Sequence, residues 1–513
     1  MAAKIIAFAF SFVLPLLIVR SLSQDAVGNY RQAFQVITNA VIILPLGFSM
    51  SAYYFLARET GERRSAAIFN ILIFNFVVGG LACLTLALFP QIIGGIFQSE
   101  ELSRLSPKIG LVIWIWIFAT FLETVAIANS EARAATAFII LAQISKTLFM
   151  GAAVFAFGTV ESFIYAAMIQ GVIQTLFLLG YLRSRFDGFW RSFDAGFFRE
   201  QMQYAIPFGL TGALWIGQTE IHNYFVGYKF SSAEFAIYAY GCFQVPLIAM
   251  LSESITSVLI PRMNVLQLAD DRDEMIRLMA RATQKLAFFY FPIYVFLMIT
   301  ANTFIVTLFT QNYERSVSIF VINLTLLPFS VIILDPVVRS FKELGKLFLV
   351  TRTLIVAGLI AVLYFGLDRL SLTGMITVAV CAILIEKLLA EAMVIYKLGL
   401  GVRHLPLLKT TAITALVSVV AGIATYIVYA NAHDYLRQAG ESFAVQWISV
   451  EKLSVVHFVG GSFVLGICAL VFLTVYLIAA NFFGVIEDEE KQTLRNLMSW
   501  FFPKRSSEAL TGS

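Results

Sequence analysis

The chain has 513 residues, of which 59% are hydrophobic and only 13% charged, with a formal net charge of +4. A soluble chain carries roughly 25% charged side chains, and one this apolar could not cover its own core with polar groups. The composition excludes a soluble enzyme, a nucleic-acid-binding module and a protein with a single membrane anchor, since its apolar residues suffice for about 14 helices of about 20 residues each.

Apolar runs broken by polar loops predict fourteen spans, roughly at 4–20, 33–57, 65–89, 109–128, 137–157, 161–182, 203–226, 234–259, 283–309, 316–338, 347–366, 370–396, 409–430 and 456–483. The first run follows Lys4 and lacks a small-residue cleavage site before Arg20, so it reads as a retained helix. With the N-terminus cytoplasmic, 25 of the 36 Lys and Arg fall on the cytoplasmic side and nine on the other. That asymmetry predicts cytoplasmic termini. The stretch FDGFWRSFDAGFFRE places Phe186, Phe189, Trp190, Phe193 and Phe197 at helical spacing with basic residues between, a pattern suited to a headgroup layer. The longest external segment is predicted at 431–455, too short for a catalytic domain. The cysteines Cys83, Cys242, Cys381 and Cys468 are far apart in apolar stretches, with neither a zinc spacing nor a disulfide framework. No cofactor and no metal are expected.

The segment SQDAVGNYRQAFQV from Ser23 recurs as SSAEFAIYAYGCFQV from Ser231. With one residue inserted in the second copy, Ser23, Tyr30, Phe34, Gln35 and Val36 match Ser231, Tyr238, Phe243, Gln244 and Val245. Both segments join the first two helices of a six-helix set. An even number of helices per set makes the repeats parallel, enclosing a substrate cavity. The expected fold is an all-α polytopic membrane protein of about 14 helices, two parallel six-helix repeats plus two extra C-terminal helices. Its parts are an N-lobe over 1–182, a cytoplasmic amphipathic linker over 183–202, a C-lobe over 203–397, helices 13 and 14 over 398–484 and a cytoplasmic tail over 485–513.

The opening stretch KIIAFAFSFVLPLLIVRSLSQDAVGNYRQAFQVITNAVIILPLGFS, with Gly28, Asn29 and Tyr30 in its loop and Leu46 and Gly47 at its turn, resembles the N-terminal signature of bacterial polysaccharide flippases. Leu344, Gly345 and Lys346 resemble that family's connection between helices 10 and 11. The resemblance implies the multidrug/oligosaccharidyl-lipid/polysaccharide exporter superfamily. It further implies two six-helix lobes around a V-shaped cavity, and movement of a polyprenyl-diphosphate-linked oligosaccharide across the bacterial inner membrane by alternating access, without bond chemistry. The implied partners are the lipid-linked substrate, membrane lipid, a polysaccharide polymerase and a chain-length regulator, with no nucleic acid.

Ionisable groups in the bilayer cost about 2.5–3.5 kcal/mol on insertion and mark candidate sites. Lys146 is the mid-depth cation, with Glu123 on the neighbouring helix as a pairing partner or Lys146 itself as a phosphate contact. Glu220 and His222 lie on helix 7 and are candidates for proton binding or a wet vestibule. Arg20 and Arg31 flank the first external loop, as anchors or as contacts to diphosphate. Asn39, Gln143 and Gln218 can bond sugar hydroxyls or join helices. Glu386, Lys387 and Glu391 form a cluster in which Lys387 and Glu391 pair at i,i+4. Drug exporters of the superfamily use a Glu on helix 7 and an Asp on helix 10. Here Glu220 and Asp335 lie toward opposite membrane faces, which disfavours a cation-coupled drug exporter. A membrane glycosyltransferase or polymerase is the third reading, and it lacks the external acidic loop it would need.

Overall fold

The computed structural model describes residues 13–191, 193–447 and 452–486. All regular structure described is helical. After a first helix, α1, over 13–21, the chain forms α2 (Gln24–Ile43), α3 (Ala52–Arg58), α4 (Gly61–Leu88), α5 (Gln91–Phe97), α6 (Glu100–Ala128), α7 (Ala132–Ala156) and α8 (Val160–Arg185). Then come α9 (Ala195–Lys229), α10 (Ser232–Gly241), α11 (Pro246–Leu268), α12 (Arg272–Phe309), α13 (Ser316–Leu324), α14 (Leu326–Phe329) and α15 (Asp335–Ser340). The chain ends with α16 (Lys342–Phe365), α17 (Leu372–Leu398), α18 (Lys409–Trp447) and α19 (Leu453–Phe482). Among the described residues eight helices are long and apolar enough to span a membrane, or nine if α10 and α11, bent by 49° at their junction, form one span. This is a multi-pass membrane protein, and a set of fourteen spans is consistent with it.

The chain divides into two compact units. One comprises Met1–Met250, Phe304–Leu326 and Phe341–Met393; the other comprises Leu251–Thr303, Leu327–Ser340 and Val394–Ser513.

In the first unit the two copies of the repeat are capped alike. The Ser23 hydroxyl accepts from the Ala26 N–H at the start of α2, and the Ser231 hydroxyl accepts from the Glu234 N–H at the start of α10. Each cap supplies an acceptor to an otherwise orphaned first-turn donor. The copies also lie against each other. A Cβ on Gly28 would sit 1.8 Å from the Ser232 carbonyl oxygen, so the α2 and α10 backbones meet where no side chain fits. The copies part company at the inserted residue. Helix α2 continues through Phe34, Gln35 and Val36, whereas α10 stops at Gly241 and 242–245 are non-helical. One extra residue would turn the following face by about 100°, and the chain breaks the helix there.

At the other end of α2, Leu46 and Gly47 both take positive φ, 47° and 72°. Their turn is pressed on α9, where a Cβ on Gly209 would lie 2.1 Å from the Leu46 carbonyl. The aromatic connector packs inward: Phe186, Phe189 and Phe197 are buried in the same core as Phe48 and Phe55. Arg63 lies over the Phe197 ring at 4.8 Å and Arg64 over Phe186 at 5.6 Å. Only Trp190 and Phe193 keep the exposure expected of a headgroup-facing stripe.

A buried ion pair joins α16 to α17 in this unit. Arg352 donates from Nε at 3.0 Å and Nη2 at 2.8 Å to the same Glu386 oxygen, Oε1. The guanidinium lies 5.0 Å from the Trp215 ring of α9 and 4.6 Å from that of Phe348. The side chains are 11% and 4% exposed.

The second unit contains the α18–α19 hairpin. Segment 431–455, expected as a loop, is helical as far as Trp447, because α18 runs for 39 residues, about 58 Å. The extension is held by Glu441, which accepts from Arg437 Nε at 3.1 Å and meets His457 Nδ1 at 2.9 Å, and by Gly440 packed against Gly460. The start of the predicted first span and the tail after Ile486 lie outside the described residues.

Two outcomes test this packing. Gly28→Val should drive α2 off α10 and lower stability in detergent by about 1–3 kcal/mol, the usual cost of overpacking, whereas Gly95→Ala, with nothing within 4 Å, should leave thermal unfolding unchanged. Arg352→Ala should cost about 3–5 kcal/mol by stranding the Glu386 carboxylate, while Arg352→Met combined with Glu386→Gln should recover most of the loss. Equal melting temperatures for the single and double variants would show that the pair bears no load.

Candidate functional site

Helix α2 carries a polar stripe: Arg31, Gln32, Gln35 and Asn39 follow Gly28 at spacings of three, four, seven and eleven. That stripe begins where the two repeat copies meet, and α9 and α10 supply the opposite wall. Arg31 lies 5.2 Å from the Tyr240 ring of α10, and its charge also acts on Glu220, Cys242 and Tyr313. Glu220 accepts from Asn223 Nδ2 at 2.8 Å. Asn39 donates to the Tyr224 hydroxyl at 3.1 Å, tying α2 to α9. His222 Nδ1 is 2.8 Å from the Tyr238 hydroxyl, tying α9 to α10.

Gln218 is one helical turn before His222 on α9. Helices α9 and α10 are joined at Phe230 and Ser231 and meet at His222 and Tyr238, so an antiparallel register places Gln218 level with the break after Gly241. The broken segment therefore coincides with a cluster of amide, carboxylate and guanidinium groups. Non-helical backbone at membrane depth is tolerated only where it is buried in protein or lines a cavity. Gln32 and Gln218 are fully buried, and both polar atoms of each amide have no protein hydrogen bond among the described residues. Unmet amides cost about 1–3 kcal/mol each, so this seam holds hydrogen-bonding capacity that the packed protein leaves unused.

Of the residues singled out by sequence, Arg31, Asn39, Gln218, Glu220 and His222 are thus brought onto one seam. Lys146, Glu123 and Gln143 are elsewhere, on α6 and α7. The Lys146 ammonium lies 5.2 Å from the Trp116 ring, whose Nε1–H donates to the Ala167 carbonyl at 3.0 Å. Among the described residues no ion pair joins Lys146 to Glu123. Glu123 is exposed and acts electrostatically on Tyr53. Arg20 is committed to backbone: it donates to the Thr307 carbonyl at 2.6 Å, Leu308 at 2.8 Å and Leu16 at 3.0 Å. Its charge meets the negative end of α12. Gln24 donates to the Asn312 carbonyl at 2.6 Å nearby.

Sequence reasoning passes over Gln32, Asn223 and Arg352. The polar stripe would have exposed Gln32. Arg352 escapes because a helix drawn from 347 leaves it near an end, whereas α16 begins at Lys342 and holds it ten residues in. Asp335 pairs with Arg339 one turn on at 2.8 Å, both largely exposed. Among the described residues no three His, Cys, Asp or Glu side chains gather as a metal-ligand set.

No curated protein matches the chain in sequence. Among solved structures it is similar to the lipid II flippase MurJ in its inward closed conformation, with a TM-score of 0.69, 15% identity, and coverage of 97% of this chain and 99% of that one. It is also similar to an inward-facing multidrug resistance MATE family transporter of the MOP superfamily, with a TM-score of 0.62, 14% identity and coverage of 77% and 94%. A MOP superfamily transporter from Pyrococcus furiosus matches with a TM-score of 0.56, 15% identity and coverage of 77% and 94%. These likenesses establish the fold. A sequence profile described as polysaccharide biosynthesis protein matches residues 17–318, more than half of the chain and the part that carries the polar seam, and the chain belongs to that family.

Proposed function

We propose that this protein is a flippase, not an enzyme, which moves a polyprenyl-diphosphate-linked oligosaccharide across the bacterial inner membrane for polysaccharide or O-antigen biosynthesis. The observation that carries the reading is the α2–α9–α10 seam, a cation and unused amides gathered at a broken helix inside a polysaccharide biosynthesis family member. Arg31 supplies positive charge for a diphosphate, and Gln32, Gln218 and Asn223 supply donors and acceptors for sugar hydroxyls. The polyprenyl chain stays in the bilayer, and membrane lipid is its solvent throughout.

In this reading the lobes are 1–182 and 203–397, linked through 183–202, with 398–484 as the last two helices and 485–513 as the tail. Both termini are cytoplasmic, following the basic-residue asymmetry. The contacts at the Ser23 and Ser231 end then close the external side: Gly28 against Ser232, Arg20 on the carbonyls of Thr307 and Leu308, and Gln24 on Asn312. Breaking them and opening the seam outward would complete alternating access. Lys146 is a second cation for the substrate, approached from a different part of the bundle. A polymerase and a chain-length regulator would take the product on the outer face. The drug-exporter fold relatives suggest the competing reading, and Arg31 at the seam argues against it, because a cationic drug would meet like charge.

Reconstituted vesicles loaded with a fluorescent polyprenyl-diphosphate oligosaccharide test this. Wild-type protein should expose the glycan to an external lectin, and Arg31→Gln should slow that exposure at least tenfold while leaving the melting temperature within a few degrees. Lys146→Ala should lower the rate, Lys146→Arg should retain part of it, and adding Glu123→Ala should not rescue the loss. Transport of a cationic dye with no movement of the glycan would transfer the protein to drug export.

A further inference from the structure

A second feature of the first unit lies on the outer surface of the α7–α8 hairpin, away from the polar seam. Between the C-terminal half of α7 and the N-terminal half of α8 runs a groove of roughly 570 Å³, within the range of small-molecule sites. Its floor and walls are Ala152, Ala153 and Ala156 of α7 with Tyr165, Ala166 and Ile169 of α8. From Thr159 to Ile169 it follows ten helical residues, about 15 Å, along the spans and toward the bilayer interior. The exposed rings of Phe155 and Phe157 flank its upper end, as aromatic residues do at a membrane interface.

That end is charged. Glu161, which lines the groove, pairs with Lys108 of α6, and both are about one-third exposed. The Tyr165 hydroxyl lies 3.4 Å from Glu161, and the Lys108 ammonium lies 4.7 Å from the Tyr165 ring. Arg104, one turn before Lys108, also acts on Glu161. The rim therefore offers the Lys108–Glu161 pair, with Arg104 near enough to act on the carboxylate, above a largely apolar trough.

We propose that this groove is a binding site for a membrane phospholipid with a primary-ammonium headgroup. One acyl chain lies along the alanine face, the phosphate meets Lys108 and Arg104, and the ammonium donates to Glu161. The headgroup's paired charges complement the rim in sign and order. A quaternary ammonium has no N–H to donate to Glu161, and a glycerol headgroup has no cation for it. The alanines of α7 and Ala166 of α8 leave open volume beside Tyr165 and Ile169 that an acyl chain can occupy. The site rests only on the membrane-spanning character of the chain and is independent of the cargo the protein moves.

Native mass spectrometry of the full chain in detergent, with dioleoyl phosphatidylethanolamine, phosphatidylcholine and phosphatidylglycerol supplied in equal amounts, reads the site directly. The ethanolamine lipid should be retained at least fivefold over the other two. Glu161→Gln should reduce that preference below twofold while leaving total lipid retention nearly unchanged. Ala156→Trp, at an exposed groove position, should cut retention of the ethanolamine lipid at least fivefold. Ala152→Leu, a smaller filling on the same face, should reduce it in the same direction should the tryptophan variant fail to elute as a folded species. Equal retention of the three lipids, retention indifferent to both filling variants, or efficient disulfide formation between two copies carrying Ala156→Cys would each overturn the assignment, the last by showing that a second protein chain covers the groove.

Discussion

The backbone contact between Gly28 and Ser232 fixes the register of everything on the candidate seam. Two helices can approach this closely only where one of them lacks a Cβ, and Gly28 supplies that position one turn above Arg31. With α2 seated there, Arg31 comes under the Tyr240 ring, Gln32 falls beside Gly227, and Asn39 reaches the Tyr224 hydroxyl. Farther along, the Leu46–Gly47 turn closes on Gly209. The two glycine contacts, Gly28 on α10 and the Leu46–Gly47 turn on Gly209 of α9, fix α2 at either end of the polar stripe.

The broken helix follows from the same repeat. A segment duplicated with perfect register would give two continuous helices, and α2 is continuous. The extra residue in the second copy falls between Tyr238 and Phe243, where continuing the helix would rotate Phe243, Gln244 and Val245 away from the face held by their counterparts in α2. Ending the helix at Gly241 preserves their side-chain sequence but frees backbone groups inside the membrane. Such groups need polar company, and Gln218 is level with the break, with Glu220 about half a turn farther along α9. Insertion, break and polar cluster are thus one structural event.

Much of this was legible in the sequence, and the part that was not has a physical pattern. Membrane class, the repeat and the candidacy of Arg31, Glu220, His222, Gln218 and Asn39 all come from composition, periodicity and the cost of burying polar groups. What escaped depends on which neighbour a side chain meets. Spacing pairs Lys387 with Glu391, yet the well-made pair is Glu386 with Arg352, because a helix–helix contact can align a guanidinium edge-on to a carboxylate. The aromatic connector has the spacing of a lipid-facing helix, but Phe186, Phe189 and Phe197 find a protein core first. Segment 431–455 looks like a loop by its polarity; pairing with the start of α19 makes it helix as far as Trp447, since Arg437, Glu441 and His457 satisfy one another across the hairpin.

Arg31 and Lys146, the two cations proposed to meet substrate, illustrate why position alone does not assign a role. Arg31 acts on Glu220, so part of its charge is already answered by the protein, and its guanidinium keeps further donors for a planar anion. Lys146 has instead the face of Trp116, an interaction worth about 0.5–2 kcal/mol, below the roughly 2.5–3.5 kcal/mol charged for a cation at mid-membrane. An aromatic face attracts the charge but accepts no strong hydrogen bond, so among the described residues the three N–H groups of the ammonium remain to be met. Water or an anionic headgroup can meet them, and a buried carboxylate would have removed the need. The indole is itself pinned by the Ala167 carbonyl, so it cannot swing to follow the lysine. Lys146 is thereby a cation held in place with its donors uncommitted among the described residues, whereas Arg20, with three carbonyls in hand, is spent on structure.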